Sequence, residues 1–131
     1  MPPKRFEYAV SVKGSGPIEC DPDWTPEHLV LAGLARCTLK SLEFHAGRGS
    51  ISVAGSGAAD GVVTKHEEDG RYAFSEIECG LDVELDPLPS GDGLTELLDL
   101  AERDCFVGAS LRVKPRYEWR VNGEIVPRQA S

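Results

Sequence analysis

The stretch from Thr25 to Gly49 constrains this chain more than any other, because it reads as one long helix that is apolar around much of its circumference. Thr25 offers the side-chain oxygen of a good N-cap, Pro26 suits the first helical position, and Glu27 puts a carboxylate in the positive first turn. From Leu29 to Phe44 the chain is rich in Leu and Ala and free of proline. Leu31, Leu34, Ala35 and Leu42 spread the apolar surface too widely for a helix lying half in water, so burial is expected. Gly47 and Gly49 supply the stop. Left without a partner, such a helix would expose more contiguous apolar surface than a monomer normally carries, which points to a second copy of the chain.

Period-two patterns flank this helix. Arg5 to Val12 alternates with Phe6, Tyr8, Val10 and Val12 on one side, Lys13 to Pro17 breaks it, and Ile18 to Cys20 reads as the return strand of a hairpin before Asp21-Pro22-Asp23 turns the chain. Ile51 to Thr64 and Tyr72 to Leu85 read as two long strands with a bulge near Glu76, joined through the polar turn His66 to Gly70. Pro87 to Gly93 reads as a loop. Leu94, Leu97, Leu98 and Ala101 then recur at helical spacing up to Arg103, and Phe106 to Leu111 fits one further helical turn. A last strand, Arg116 to Val126, is divided by the turn-prone pair Asn122-Gly123. The order of hairpin, buried helix, hairpin, helix and closing strands predicts an α+β fold, with helices segregated on one face of an antiparallel sheet.

A chain of 131 residues, 40% apolar and 27% charged, has the size for one core and the polarity of a globular protein, so a single domain over 1–131 is expected. Its net charge of −8 argues against a nucleic-acid partner, which would require clustered Lys and Arg. The late group Arg112, Lys114, Arg116 and Arg120 reads as the solvated face of a strand. No leader-like segment opens the chain and no apolar run is long enough to span a membrane, so a cytoplasmic location without a membrane partner is expected. There Cys20, Cys37, Cys79 and Cys105 are expected to be reduced at rest. They form no C-x-x-C pair and no Cys/His cluster, so neither a metal nor another cofactor is expected.

Cys37 lies about three helical turns after Glu27, which places thiol and carboxylate roughly on one helix face. Taken alone, a cysteine on an apolar helix is most often an inert small hydrophobe. Arg36 is adjacent in sequence, but neighbouring helical residues point about 100° apart, so it reads as a surface residue rather than an activator of the thiol. Cys105 follows Glu102-Arg103-Asp104 at a helix junction, where a side chain can face a cleft. Histidines 28, 45 and 66 are scattered and read as surface residues. Trp24 precedes the N-cap, as a hydrophobic staple does.

The run from Thr25-Pro26-Glu27 through Leu29, Ala32, Gly33 and Ala35 to Cys37 resembles the helix signature of the OsmC/Ohr family. The segment Ala101-Glu102-Arg103-Asp104-Cys105, followed by Ser110-Leu111, is similar to that family's second-cysteine segment. The resemblance implies a tightly intertwined homodimer with each pocket lined by both subunits. It also implies a peroxidase in which Cys37 attacks a hydroperoxide and becomes a sulfenic acid, Cys105 condenses with it to a disulfide, and a dithiol reductant reopens the bridge. Glu27 matches the family's glutamate, which holds an arginine beside the thiolate. This chain departs from the pattern there: Val12 to Asp23 contains no arginine, and Lys13 is the basic residue left to face the thiol, without the planar fork of a guanidinium. Trp24, Leu34 and Phe106 are the expected apolar contacts to substrate, favouring organic hydroperoxides. Cys20 and Cys79 have no family counterpart and read as structural. The missing arginine keeps a second reading open, in which the same pocket binds a small apolar or electrophilic molecule without efficient peroxidase activity.

Overall fold

The computed structural model describes residues 25–128. The proposed N-terminal hairpin, and with it Lys13, Cys20 and Trp24, lies outside the described residues.

Helix α1 (Pro26–Arg48) starts and stops where its capping residues dictate. The Thr25 side chain accepts from the His28 backbone N–H at 3.3 Å, and the Thr25 N–H in turn donates to Nδ1 of His28 at 3.1 Å. This is a reciprocal capping box with histidine in the place usually held by Glu or Gln. His28 is therefore tied into the helix start, beyond the plain surface role expected for it. Gly49 forms the C-cap, and its N–H returns to the last helical carbonyls.

Strands β1 (Ser52–Lys65) and β2 (Tyr72–Asp86) form the long hairpin. Their register slips between Val62 and Val63, where Ser75 is the extra residue on β2, so the bulge falls beside the expected Glu76. On β2, Ile77, Cys79, Leu81, Val83 and Leu85 are buried while the residues between them are exposed, the pattern of a sheet covered on one side only. The inward side of β1 is small because α1 lies close across it. A Cβ added at Gly57 would stand 2.8 Å from the Leu81 side chain and 3.4 Å from Cβ of Ala35.

Helix α2 (Gly91–Arg103) begins at Gly91, with Ser90 in the N-cap position but making no side-chain cap, earlier than the expected Leu94. The short α3 (Phe106–Ser110) follows with Cys105 as its N-cap, and β3 (Arg116–Val121) and β4 (Glu124–Val126) close the chain. Asn122 and Gly123 both take positive φ, 50° and 86°, so the turn between β3 and β4 is the primed type that matches strand twist.

The sheet order is β1-β2-β3-β4, and one pairing departs from the antiparallel expectation: β3 runs parallel to β2. The physical reason is the connection. A tight turn can join only antiparallel neighbours, whereas here α2 and α3 carry the chain back over the covered face, so β3 enters in the same direction as β2. Arg116 and Arg120 stand on the exposed face of β3 as expected, with Arg116 paired to Glu78 at 3.0 Å. Tyr117, Trp119 and Val121 point the other way, toward the helices. The core gathers Leu31, Leu34 and Leu42 of α1, Leu97 and Leu98 of α2, the inward residues of β2, and Trp119, which is completely buried.

Candidate functional site: a thiol pair at the helix junction

The site arises where the middle of α1 meets the break between α2 and α3. Cys37 is half-buried on α1, and the next residue, Thr38, turns inward and is wholly buried. Cys105 ends the connection from α2 with extended backbone, so its side chain drops into the core and caps α3. Its sulfur accepts the Gly108 N–H at 3.4 Å and lies 3.3 Å from the Thr38 hydroxyl. The Cys37 sulfur lies near the backbone N–H groups of Val107 and Phe106, which favour its thiolate, and near the Cys105 thiol. One short segment, 105–108, thus bonds one sulfur through an amide and brings further amides near the other. All three described cysteines are free thiols.

Burial pushes the Cys37 thiol above its ordinary pKa; the two backbone N–H groups oppose this, and the Cys105 thiol adds to the upward shift. None of these causes is a cationic side chain. Arg36 is exposed, as its helical position dictates. Arg103 is committed elsewhere, donating to both carboxylate oxygens of Asp104 at 2.9 and 3.0 Å. That contact, with His45 2.7 Å away on the other side, holds the Asp104 carboxyl down at about 2. Glu27 is half-buried on the first turn of α1.

The remaining expected contacts divide. Phe106 is 71% exposed beside the pair. The Leu34 side chain is completely buried; its carbonyl accepts from Thr38 at 2.9 Å, and its methyl lies under Gly108. Leu34 therefore belongs to the floor of the site, not to a surface a substrate meets directly.

Sequence reasoning missed the polar neighbours of Cys105. Thr38 follows Cys37 on a helix that otherwise reads as apolar, and nothing in its spacing singles it out. Tyr117 is half-buried on β3 with its phenol at Cys105 and Thr38, and burial pushes its pKa far up. The alternation of Tyr117, Trp119 and Val121 was the available signal for that inward direction. Cys79 is fully buried and lies in the same cluster, facing Thr38, with burial raising its thiol to about 12. Next to it, Glu102 accepts from the Trp119 indole N–H at 2.8 Å and from Arg128 at 2.9 Å, and Arg128 also pairs with Asp99.

An α+β chain with a half-exposed thiol on its central helix, meeting a buried thiol at a helix junction, is a small protein built around paired cysteines. The family model of OsmC-like proteins matches residues 19–120, and the chain belongs to that family. Solved structures agree on the fold. An OsmC-like protein from Mycoplasma pneumoniae superposes with a TM-score of 0.62 at 19% identity, covering 75% of this chain and 72% of that one. An OsmC-like protein of unknown function from Vibrio cholerae gives 0.59 at 19% identity; the match covers 72% of this chain but only 62% of the Vibrio protein. An organic hydroperoxide resistance protein from Elizabethkingia anophelis gives 0.55 at 21% identity, covering 77% of this chain and 69% of that chain. No curated protein matches the sequence. Among the described residues no helix is long and apolar enough to cross a membrane.

Proposed function

We propose that this chain is a thiol-dependent reductase of organic hydroperoxides, acting as a homodimer. The observation that carries the reading is the pairing of a half-exposed Cys37 with a buried Cys105 beside the amides of one segment. A peroxide reaches the first sulfur, and the second waits behind it, shielded from direct oxidation. The Cys37 thiolate attacks the outer peroxide oxygen; the O–O bond breaks, an alcohol leaves after taking a proton, and Cys37 becomes a sulfenic acid. Cys105 then displaces hydroxide from that sulfur, giving a disulfide and water. A dithiol reductant takes the oxidation upon itself and returns both thiols. Lys13 is assigned the positive charge facing the thiolate, with Glu27 orienting it, and Trp24 and Phe106 the apolar walls.

The homodimer reading is supported by Leu29, Val30 and Phe44, which α1 leaves exposed, and by Phe106 beside the site. Light scattering is expected to give twice the chain mass; a monodisperse monomer refutes it.

A coupled assay with cumene hydroperoxide and a dithiol reductant tests the activity, with peptide mapping of the oxidised protein. The expected bridge joins Cys37 to Cys105. Cys37→Ser is expected to abolish consumption, while Cys105→Ser still forms a sulfenic acid but overoxidises. Consumption that survives Cys37→Ser, or a bridge through Cys20 or Cys79, refutes the assignment.

One observation favours a second reading. Burial raises the Cys37 thiol and no cationic side chain is among the causes that oppose it, which suits a pocket that binds a small apolar or electrophilic molecule. Turnover no faster than that of a free thiol in the same assay decides for this alternative.

A further inference from the structure

Cys105 must lose a proton whenever it closes on Cys37, yet it is completely buried and cannot hand that proton directly to bulk solvent. Apart from the Cys37 thiol it closes on, its polar neighbours are the Gly108 N–H, the Leu34 carbonyl at 4.0 Å, which as a peptide oxygen carries no proton to pass on, the Thr38 hydroxyl and the Tyr117 phenol. The amide has no proton-accepting lone pair to offer. Thr38 is as buried as Cys105, so it has no outlet to solvent of its own, and its one hydrogen serves either the Leu34 carbonyl or the Cys105 sulfur. Tyr117 differs from both, because it is only half-buried and reaches two environments. One end of it meets the cysteine cluster. The same residue lines a cleft of about 420 Å³ with Glu102, Gly108, Leu111 and Lys114, between the end of α2, α3 and the start of β3.

Gly108 makes this reach possible. A Cβ built there would stand 2.8 Å from the Tyr117 oxygen and 3.5 Å from the Cys105 sulfur, so the space a side chain would fill is the space across which phenol and thiol approach each other. The phenol is protonated through the neutral range, as any tyrosine is and burial only reinforces, and in that form it accepts one proton while passing on another.

We propose that Tyr117 is the proton-transfer residue of Cys105, connecting the buried thiol to the cleft. The inference rests on the thiol-pair reading above. As the Cys105 sulfur forms its bond to Cys37, the Cys105 proton moves to the phenol oxygen, directly or through Thr38, and the phenol gives its own proton to solvent in the cleft. The S–O bond at Cys37 breaks, and the departing hydroxide takes a proton on the exposed side. One proton leaves and one enters, and Tyr117 ends unchanged. Reduction of the disulfide runs the same path backward, reprotonating Cys105 as it leaves.

The test separates this step from peroxide chemistry. Dithiobis-nitrobenzoate reacts with the half-exposed Cys37 and releases one nitrothiobenzoate; attack by Cys105 on the mixed disulfide releases the second. In Tyr117→Phe the first release is expected at the wild-type rate and the second slowed by about a hundredfold or more, in line with the loss of one positioned acid–base group. Gly108→Ala, which leaves the phenol in the chain but obstructs its approach, is expected to slow the same step. A second release at the wild-type rate in both variants overturns the proposal, and so does a wild-type protein that never gives a second release. If the two releases behave as expected while cumene hydroperoxide is not consumed, the peroxidase reading fails and the role of Tyr117 stands.

Discussion

Removing the side chain of Asn122 is expected to loosen the only parallel seam of the described sheet. Asn122 follows β3 with φ of 50°, and its side chain continues the ladder where the backbone has already turned away. Its Oδ1 accepts the Leu85 N–H at 2.7 Å and its Nδ2 donates to the Leu85 carbonyl at 3.1 Å, while its own N–H donates to Val83 at 2.9 Å. Asn122→Gly keeps the backbone bond and tolerates the positive φ, so its cost isolates the side chain. Two hydrogen bonds at about 1 kcal/mol each, plus about 0.5–1 kcal/mol for the freer unfolded chain, give a loss of about 2.5–3 kcal/mol. At about 4 °C per kcal/mol for a domain of this length, Tm falls by about 10 °C. Thermal and urea unfolding followed by circular dichroism measure this, with an unchanged urea m-value showing that the folded and unfolded states remain comparable. Asn122→Asp, which keeps the acceptor but sets a carboxylate oxygen against the Leu85 carbonyl, is expected to be destabilised as well. A loss below about 1 kcal/mol in Asn122→Gly refutes the reasoning, because water would then replace both bonds without cost.

Glu102→Ala is expected to destabilise by about 1–3 kcal/mol, because the indole N–H of the buried Trp119 loses its acceptor, whereas Glu102→Gln retains most of that bond; urea midpoints compare the two. Gly108→Ala, apart from its effect on thiol exchange, is expected to lower stability by about 1–3 kcal/mol through overlap with the Tyr117 hydroxyl, read by thermal unfolding. Because the folded-state carboxyl of Asp104 is depressed to about 2, its contribution is present above the unfolded carboxylate pKa and is lost as pH falls through about 2. Asp104→Asn is therefore expected to flatten the acid limb of the stability curve, and an unchanged limb refutes the assignment. With burial raising its pKa, Cys37 in a Lys13→Ala variant is expected to alkylate with iodoacetamide at a rate still rising at pH 9, measured by mass spectrometry, whereas the native chain reaches its plateau at lower pH; identical profiles refute the role assigned to Lys13.

Part of this molecule was legible in the sequence because the relevant physics is local. The Thr25 cap, the Pro26 start and the Gly49 stop bound α1, alternation on β2 marks its buried face, and Asn122-Gly123 marks the turn that divides the last strand. The cysteine motifs carried the family, which the match over residues 19–120 shows. What the sequence alone could not decide is set by contacts between distant segments. The direction of β3 depends on where α2 and α3 deliver the chain, and pattern is blind to that because period two is the same in either direction. The surroundings of Cys105 depend on four separate elements arriving at one point: Thr38 from α1, Cys79 from β2, Gly108 from α3 and Tyr117 from β3. Hydrophobic patterning reports which side of an element faces inward. Only the packed fold determines which inward-facing polar atom another one meets, and it is this meeting that turns two cysteines in the sequence into one pair of facing thiols.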